Sequence, residues 1–120
     1  MKLHTMQIAK WRVAKERNIE MVDTTIKSGN KTFAPTWDIV TKFKRGAITA
    51  DEYMVVYTKL MRESFKNNKE AWLEMCGKDE VAIACYCSTD NFCHRYALVD
   101  MFSRVCAVNN IPFTYMGEIT

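Results

Sequence analysis

Apolar and polar positions along the chain follow two periods, and the changes from one to the other divide it into short segments. Residues 3–8 alternate loosely, as a half-buried strand does, and residues 19–25 (Ile-Glu-Met-Val-Asp-Thr-Thr) repeat that pattern before ending in a polar cluster. Between them, residues 9–18 place Trp11 and Ala14 or Lys15 at helical spacing. Residues 27–34 read as a loop with Gly29-Asn30 as its turn signal. Pro35 stands where the first turn of a helix tolerates proline, Trp37, Val40 and Phe43 follow at helical spacing, and Gly46 stops the run. Thr49-Ala50-Asp51-Glu52 is a capping box. The helix after it carries Tyr53, Val56, Tyr57, Leu60, Met61 and Phe65 on one stripe. Asn67-Asn68 separates it from a shorter helix over residues 70–76, which Gly77 ends.

The C-terminal third has the clearest punctuation. Residues 81–87 (Val-Ala-Ile-Ala-Cys-Tyr-Cys) have the length and content of a buried strand, and Ser88-Thr89-Asp90-Asn91 forms a polar turn. Phe92, Tyr96, Val99, Phe102 or Ser103, and Cys106 then mark one face of a helix that Asn109-Asn110 closes. Residues 111–116 make a last strand, and Pro112 requires that it start late or lie on an edge. Strands alternating with helices imply an α/β fold, a mostly parallel sheet of about four strands covered by helices in three layers. With 120 residues and no linker, repeat or low-complexity stretch, residues 1–120 are expected to form a single α/β domain.

Composition narrows the function classes. Apolar residues at 48% and charged residues at 26% exclude a disordered chain. A net charge of +3 permits a polyanionic partner but falls short of the basic excess of a dedicated DNA-binding domain. No apolar run is long enough to span a bilayer, and the opening Met1-Lys2-Leu3-His4 is not a signal peptide, so a soluble, cytoplasmic protein without membrane contact is expected. Five cysteines, an odd number on core-like segments, suit a reduced intracellular protein better than a disulfide framework.

Three of those cysteines, with a histidine and an arginine, gather where the 81–87 strand gives way to a helix, the place where open α/β sheets bind ligands. One reading is a zinc set of Cys85, Cys87, Cys93 and His94. Cys85 and Cys87 would face one side of a strand, but adjacent Cys93 and His94 would diverge by about 100° on a helix, and the usual spacing of paired ligands is missing. A second reading is an activated Cys93 thiol at a helix N-terminus, reinforced by His94 and Arg95, with the turn amides and the Arg95 fork forming an anion site. A tyrosine-phosphatase or rhodanese-like loop is excluded, since it needs an arginine or loop closure about five residues after the thiol. Arg95 is eight residues after Cys87 and two after Cys93. The third reading is packing, which fits Cys76, Cys85 and Cys106 as small core hydrophobes and leaves Asp90 or Asn91 as a plain helix cap.

Asp23-Thr24-Thr25 follows the second strand and so emerges at the same sheet edge, where Asp23 could pair with Arg95, orient His94, bind a hydroxyl, or merely end the strand. Lys27 and Lys31 flank the Gly29 loop as candidate phosphate-steering or simply solvated cations. The Thr32–Trp37 stretch suits a lid, a base-stacking surface or a loop anchor. His4 stands alone and carries no assignment.

Val-Asp-Thr-Thr (22–25), Phe-Ala-Pro-Thr-Trp (33–37), Ala-Cys-Tyr-Cys (84–87), Phe-Cys-His-Arg (92–95) and Tyr-Met-Gly-Glu-Ile (115–119) together resemble a widespread bacterial and phage family of unknown function. Its longer members carry Val-Asp-x-Arg after a strand, and Cys-x-Glu followed by Cys-His-Arg near the C-terminus. This chain has Thr25 in place of that arginine and Cys87 in place of that glutamate, which weakens both a fixed catalytic acid at 87 and an obligatory four-ligand zinc set. The resemblance supports Asp23, Cys85, Cys93, His94 and Arg95 as site positions, and implies a compact α/β domain and, by association, a nucleotide or nucleic-acid ligand.

The expected function is binding, with or without chemical processing, of a phosphate-bearing ligand such as a nucleotide or nucleic-acid end. Arg95 and the helix amides would hold the anion, His94 act as acid or base, Asp23 orient it, and Cys93 serve as thiolate or packing. Thr24, Thr25, Cys85 and Cys87 would line the ligand. No cofactor is required unless zinc is bound. The rivals are a zinc-stabilised interaction domain and a small phage-type module that binds a protein partner through its surface.

Overall fold

A computed structural model describes residues 1–86 and 93–120. Strand β1 (Lys2–Gln7) runs through a 3-10 turn (Ile8–Lys10) into the short helix α1 (Trp11–Glu16), and β2 (Glu20–Asp23) follows. Three helices come next, α2 (Trp37–Lys44), α3 (Ala50–Asn67) and α4 (Lys69–Cys76). Strand β3 (Glu80–Cys85), helix α5 (His94–Val108) and strand β4 (Thr114–Ile119) complete the chain. The four strands form one all-parallel sheet in the order β2-β3-β1-β4. The α/β architecture is the one the alternation of periods predicts.

Residue parity divides the sheet into two unequal faces. Leu3, Val81 and Ile83 point to the side of α2–α5, into a core that includes Phe33, Tyr57, Trp72, Leu98 and Phe102. Met6, Ala82, Ala84 and Ile119 point the other way and meet only Ala14, Ile19 and their neighbours around α1. The alanines leave room for one short helix there. Cys85, two residues beyond Ile83, therefore faces the thick side, at the carboxyl end of β3.

Several boundaries differ from the sequence reading. The last strand begins at Thr114, three residues late, because Pro112 has no N–H to donate, Asn110 takes a left-handed turn (φ 57), and Lys2 pairs with Thr114. It both starts late and lies on the sheet edge, the two alternatives that Pro112 suggests. Pro35 stands one residue before the helix cap, which is Thr36; its hydroxyl accepts from the Ile39 amide. The Thr49–Glu52 capping box is fully formed. On α3, Tyr53, Tyr57 and Met61 are buried but Val56 is exposed. The 81–87 strand ends at Cys85, and the expectations for Cys87, the 88–91 turn and Phe92 lie outside the described residues. Helix α5 buries His94, Arg95, Ala97, Leu98, Phe102 and Cys106, with Tyr96 and Val99 only half-buried. Its inner face begins with two polar residues, which a hydropathy stripe does not count. Among the described residues no helix is long and apolar enough to cross a membrane.

Candidate functional site

All four strands are parallel, so their carboxyl ends meet along one sheet edge, and helix α5 starts directly over it. Cys93 is the residue before the helix, but its side chain caps no amide; its Sγ lies 2.6 Å from Cys85 Sγ. His94 and Arg95 then leave the helix about 100° apart and spread across the sheet. His94 reaches β2's end, where Nε2 lies 2.9 Å from the Thr24 carbonyl and 3.0 Å from its hydroxyl. A carbonyl only accepts, so Nε2 carries the proton in the neutral ring, and Nδ1 is the acceptor. Nδ1 lies 3.7 Å from Cys93 Sγ. The ring stands edge-on to Tyr57, 5.5 Å between centroids.

Arg95 extends the other way and is fully buried. Nη1 donates to Cys85 Sγ at 2.7 Å, and Nη2 donates to Glu118 Oε2 at 2.9 Å and to the Tyr96 hydroxyl at 2.9 Å. The Tyr96 hydroxyl in turn donates to Glu118 Oε1. One guanidinium thus ties the end of β3 to β4. Burial opposes its charge, but Glu118 and then the Cys85 and Cys93 sulfurs outweigh that and hold Arg95 above the ordinary arginine value. Glu118 faces this side because β4 is irregular: the register shifts between Leu3 and His4, and Gly117 adopts φ 97. The extra residue puts Tyr115 and Glu118, three apart, on one face; the Tyr115 hydroxyl lies 2.6 Å from Thr5 Oγ1.

Asp23 organises the loop beside the site. Its Oδ1 accepts from the Thr25 amide (2.8 Å) and hydroxyl (2.7 Å), and its Oδ2 accepts from the Ser28 hydroxyl at 2.5 Å. Burial pushes the Asp23 carboxyl up, yet bonds from Ser28 and Thr25, with a smaller pull from His94, outweigh it and hold the group below its ordinary value. Gly29 closes this loop: a Cβ there would meet Thr25 N at 2.4 Å and the Asp23 carbonyl at 2.6 Å.

In front of the sulfurs lies a cavity of about 330 Å³. Thr25, Cys85, Cys93 and His94 line it together with Val40, Phe43, Tyr53, Lys27, Lys44, Trp37 and Tyr86. Trp37 and Tyr86 are 58% and 60% exposed, so two aromatic faces remain open to a ligand.

A protein-family model described as "DUF488-N3a: Active DUF488-N3 subclade" matches residues 3–105. The chain belongs to the DUF488-N3a family. No curated protein and no solved structure matches it. Family membership bears out the expected family of unknown function. The matched span holds every candidate site residue read from the sequence, whereas the 115–119 segment of the resemblance, with Glu118 in it, lies beyond.

Of those residues, the DUF488-N3a fold brings together Thr24, Thr25, Cys85, Cys93, His94 and Arg95, with Asp23 one residue from the Thr24–His94 contact. Cys87 lies outside the described residues. Arg95 is turned inward, and its described partners include the Cys85 sulfur, the Glu118 carboxylate and the Tyr96 hydroxyl. Cys85, read from the sequence both as a core residue and as a candidate ligand-lining residue, is buried and accepts a charge-assisted bond from Arg95. Two zinc-bound sulfurs sit about 3.8 Å apart in a tetrahedral site, so the Cys85–Cys93 pair is too close for shared ligation as it stands. Among the described residues no group of three or more His, Cys, Asp or Glu converges as a metal site would require. Sequence reasoning missed Glu118, whose signal was a glycine inside a strand next to an acid. It also passed over His4, which is buried with Nε2 2.7 Å from Glu80 Oε2.

Proposed function

We propose that the chain binds a phosphate-bearing ligand, a nucleotide or nucleic-acid end, in the cavity beside Cys85 and acts on it with the Cys85 sulfur as nucleophile. The observation that carries this reading is the 2.7 Å bond from the Arg95 guanidinium to Cys85 Sγ at the carboxyl end of β3, on the wall of that cavity. A thiol beside a fixed cation favours the thiolate, the reactive form. Trp37 and Tyr86 suit a stacked base, and Lys27 and Lys44 suit its phosphate. His94 lines the same cavity with Nδ1 as an acceptor, placed for proton transfer. Arg95 acts on the thiol rather than on the ligand, and Asp23 shapes the Thr24–Ser28 loop that supports His94.

The test pairs binding with turnover. Nucleoside mono- and diphosphates and short single-stranded DNA and RNA are titrated against the protein by calorimetry, and products are followed by mass spectrometry. Binding is expected to weaken at least tenfold in the Trp37→Leu and Lys27→Glu/Lys44→Glu variants. Cys85→Ser should bind normally and form no product. Absence of binding by every nucleotide and oligonucleotide, or turnover undiminished in Cys85→Ser, would overturn the reading.

A further inference from the structure

The geometry points to Cys85 and Cys93 as a reversible redox pair, in which Cys85 is oxidised first by a hydroperoxide and Cys93 is the resolving thiol. Neither residue is in a disulfide, yet their sulfurs are 2.6 Å apart, about 0.5 Å from S–S bonding distance. The two are chemically unequal. Cys85 receives a hydrogen bond from Arg95 Nη1, which favours its thiolate, whereas Cys93 faces His94 Nδ1, an acceptor for its proton. Both residues are almost wholly buried and line the same cavity of about 330 Å³, which is the route by which a small hydroperoxide would approach them.

The steps balance as follows. The Cys85 thiolate attacks the distal oxygen of the hydroperoxide; an S–O bond forms, the O–O bond breaks, and the departing alkoxide takes a proton from solvent to leave as alcohol, or as water from hydrogen peroxide. Cys85 is oxidised by two electrons to a sulfenic acid and the peroxide is reduced. Cys93 gives its proton to His94 Nδ1 and attacks the Cys85 sulfur. The S–S bond forms, the S–O bond breaks, and the hydroxide leaves as water with the proton from His94. An external dithiol reverses the oxidation by exchange.

A second thiol pair supplies the internal contrast. Cys76 hydrogen-bonds to Cys106 in the core, where burial and that bond push Cys76 up to about 12. They are about as buried as Cys85 and Cys93, but they do not line the cavity, so proximity alone is not expected to give oxidation there.

The inference needs no nucleotide, so its failure and that of the proposed function are separable. Reduced full-length protein is treated with one equivalent of hydrogen peroxide, quenched with an alkylating agent, and digested without reduction by chymotrypsin, which cuts after Tyr86 and Phe92 and separates Cys85, Cys87 and Cys93. The expected result is an intact mass lowered by two hydrogens, a Cys85–Cys93 cross-linked peptide, recovery on adding dithiol, and unmodified Cys76 and Cys106. In Cys93→Ala, Cys85 should be trapped by dimedone as sulfenic acid and proceed at least tenfold faster to the sulfinic acid. In Cys85→Ser, Cys93 should remain a thiol at the same peroxide dose. A cross-link through Cys87 or Cys76 instead, or sulfinic acid at Cys85 forming equally fast with and without Cys93, would overturn the proposal.

Discussion

Arg95 carries its charge at a point shielded from water, between a carboxylate 15% exposed and the Cys85 sulfur. A buried ion that loses its partner costs far more than the pair contributes. Glu118→Gln keeps a hydrogen-bond acceptor but removes the compensating charge, and is expected to lower unfolding free energy by about 3 kcal/mol in urea titration. Arg95→Met on that background should recover most of the loss, since the double variant holds no unpaired charge. A double variant as unstable as Glu118→Gln would show that the carboxylate acts through β4 packing and not through Arg95. This residue-level logic was half legible. Cys-His-Arg at a strand-to-helix junction announced a site, but a guanidinium's direction depends on where its counter-charge lies, and Glu118 is 23 residues away in sequence.

Residues 23–30 behave as an element although they contain no regular structure after β2. Asp23 anchors both ends: its side chain takes the Thr25 and Ser28 donors, and its carbonyl takes the Asn30 amide at 2.8 Å. Gly29→Ala would drive a methyl into Thr25 N and Asp23 O, backbone atoms with nowhere to go, so it should destabilise by more than about 2 kcal/mol and shift the Thr24 and His94 amide resonances together. The Gly29-Asn30 turn was readable from composition; the backbone approach that demands glycine was not, because it depends on Asp23 lying across the loop. The same carboxylate gives an acid limb. Its folded pKa lies below the ordinary 3.8, so its stabilisation is complete above that unfolded value and is lost as pH falls through the lower folded one. Glu80, held below its ordinary value by its bond to His4, adds an acid-side contribution of its own, so the wild-type curve sums both. Subtracting the Asp23→Asn curve isolates the loop: unfolding free energies from pH 5 to pH 2.5 should converge as pH falls, and curves that stay parallel would remove Asp23 as the anchor.

On the scale of the molecule, period switching was enough to specify a parallel α/β sheet, because helices that must cross between parallel strands leave a 3.6 period between runs of period two. The order β2-β3-β1-β4 was not readable, since nothing local in the chain tells β3 to insert between β1 and β2. That insertion is what sets Cys85 beside Thr24 on one flank and brings Arg95 within reach of β4 on the other. The thick face then couples the site to the core through Phe33, which is fully buried, 4.9 Å from the Trp72 ring and 5.4 Å from Phe102, with its carbonyl accepting the Tyr57 hydroxyl at 2.6 Å. The loop bearing Lys27 and Pro35 is therefore continuous with the core. Phe33→Ala should cost about 3–5 kcal/mol, a large share of the stability of a domain this size. Hydrogen exchange in residues 24–35 should rise in step with exchange in β1 and β3, as one cooperative unit. If instead exchange rose in the loop alone while global stability fell by less than about 1 kcal/mol, the loop would be a separately opening element, and the cavity a gated site, not a preformed one.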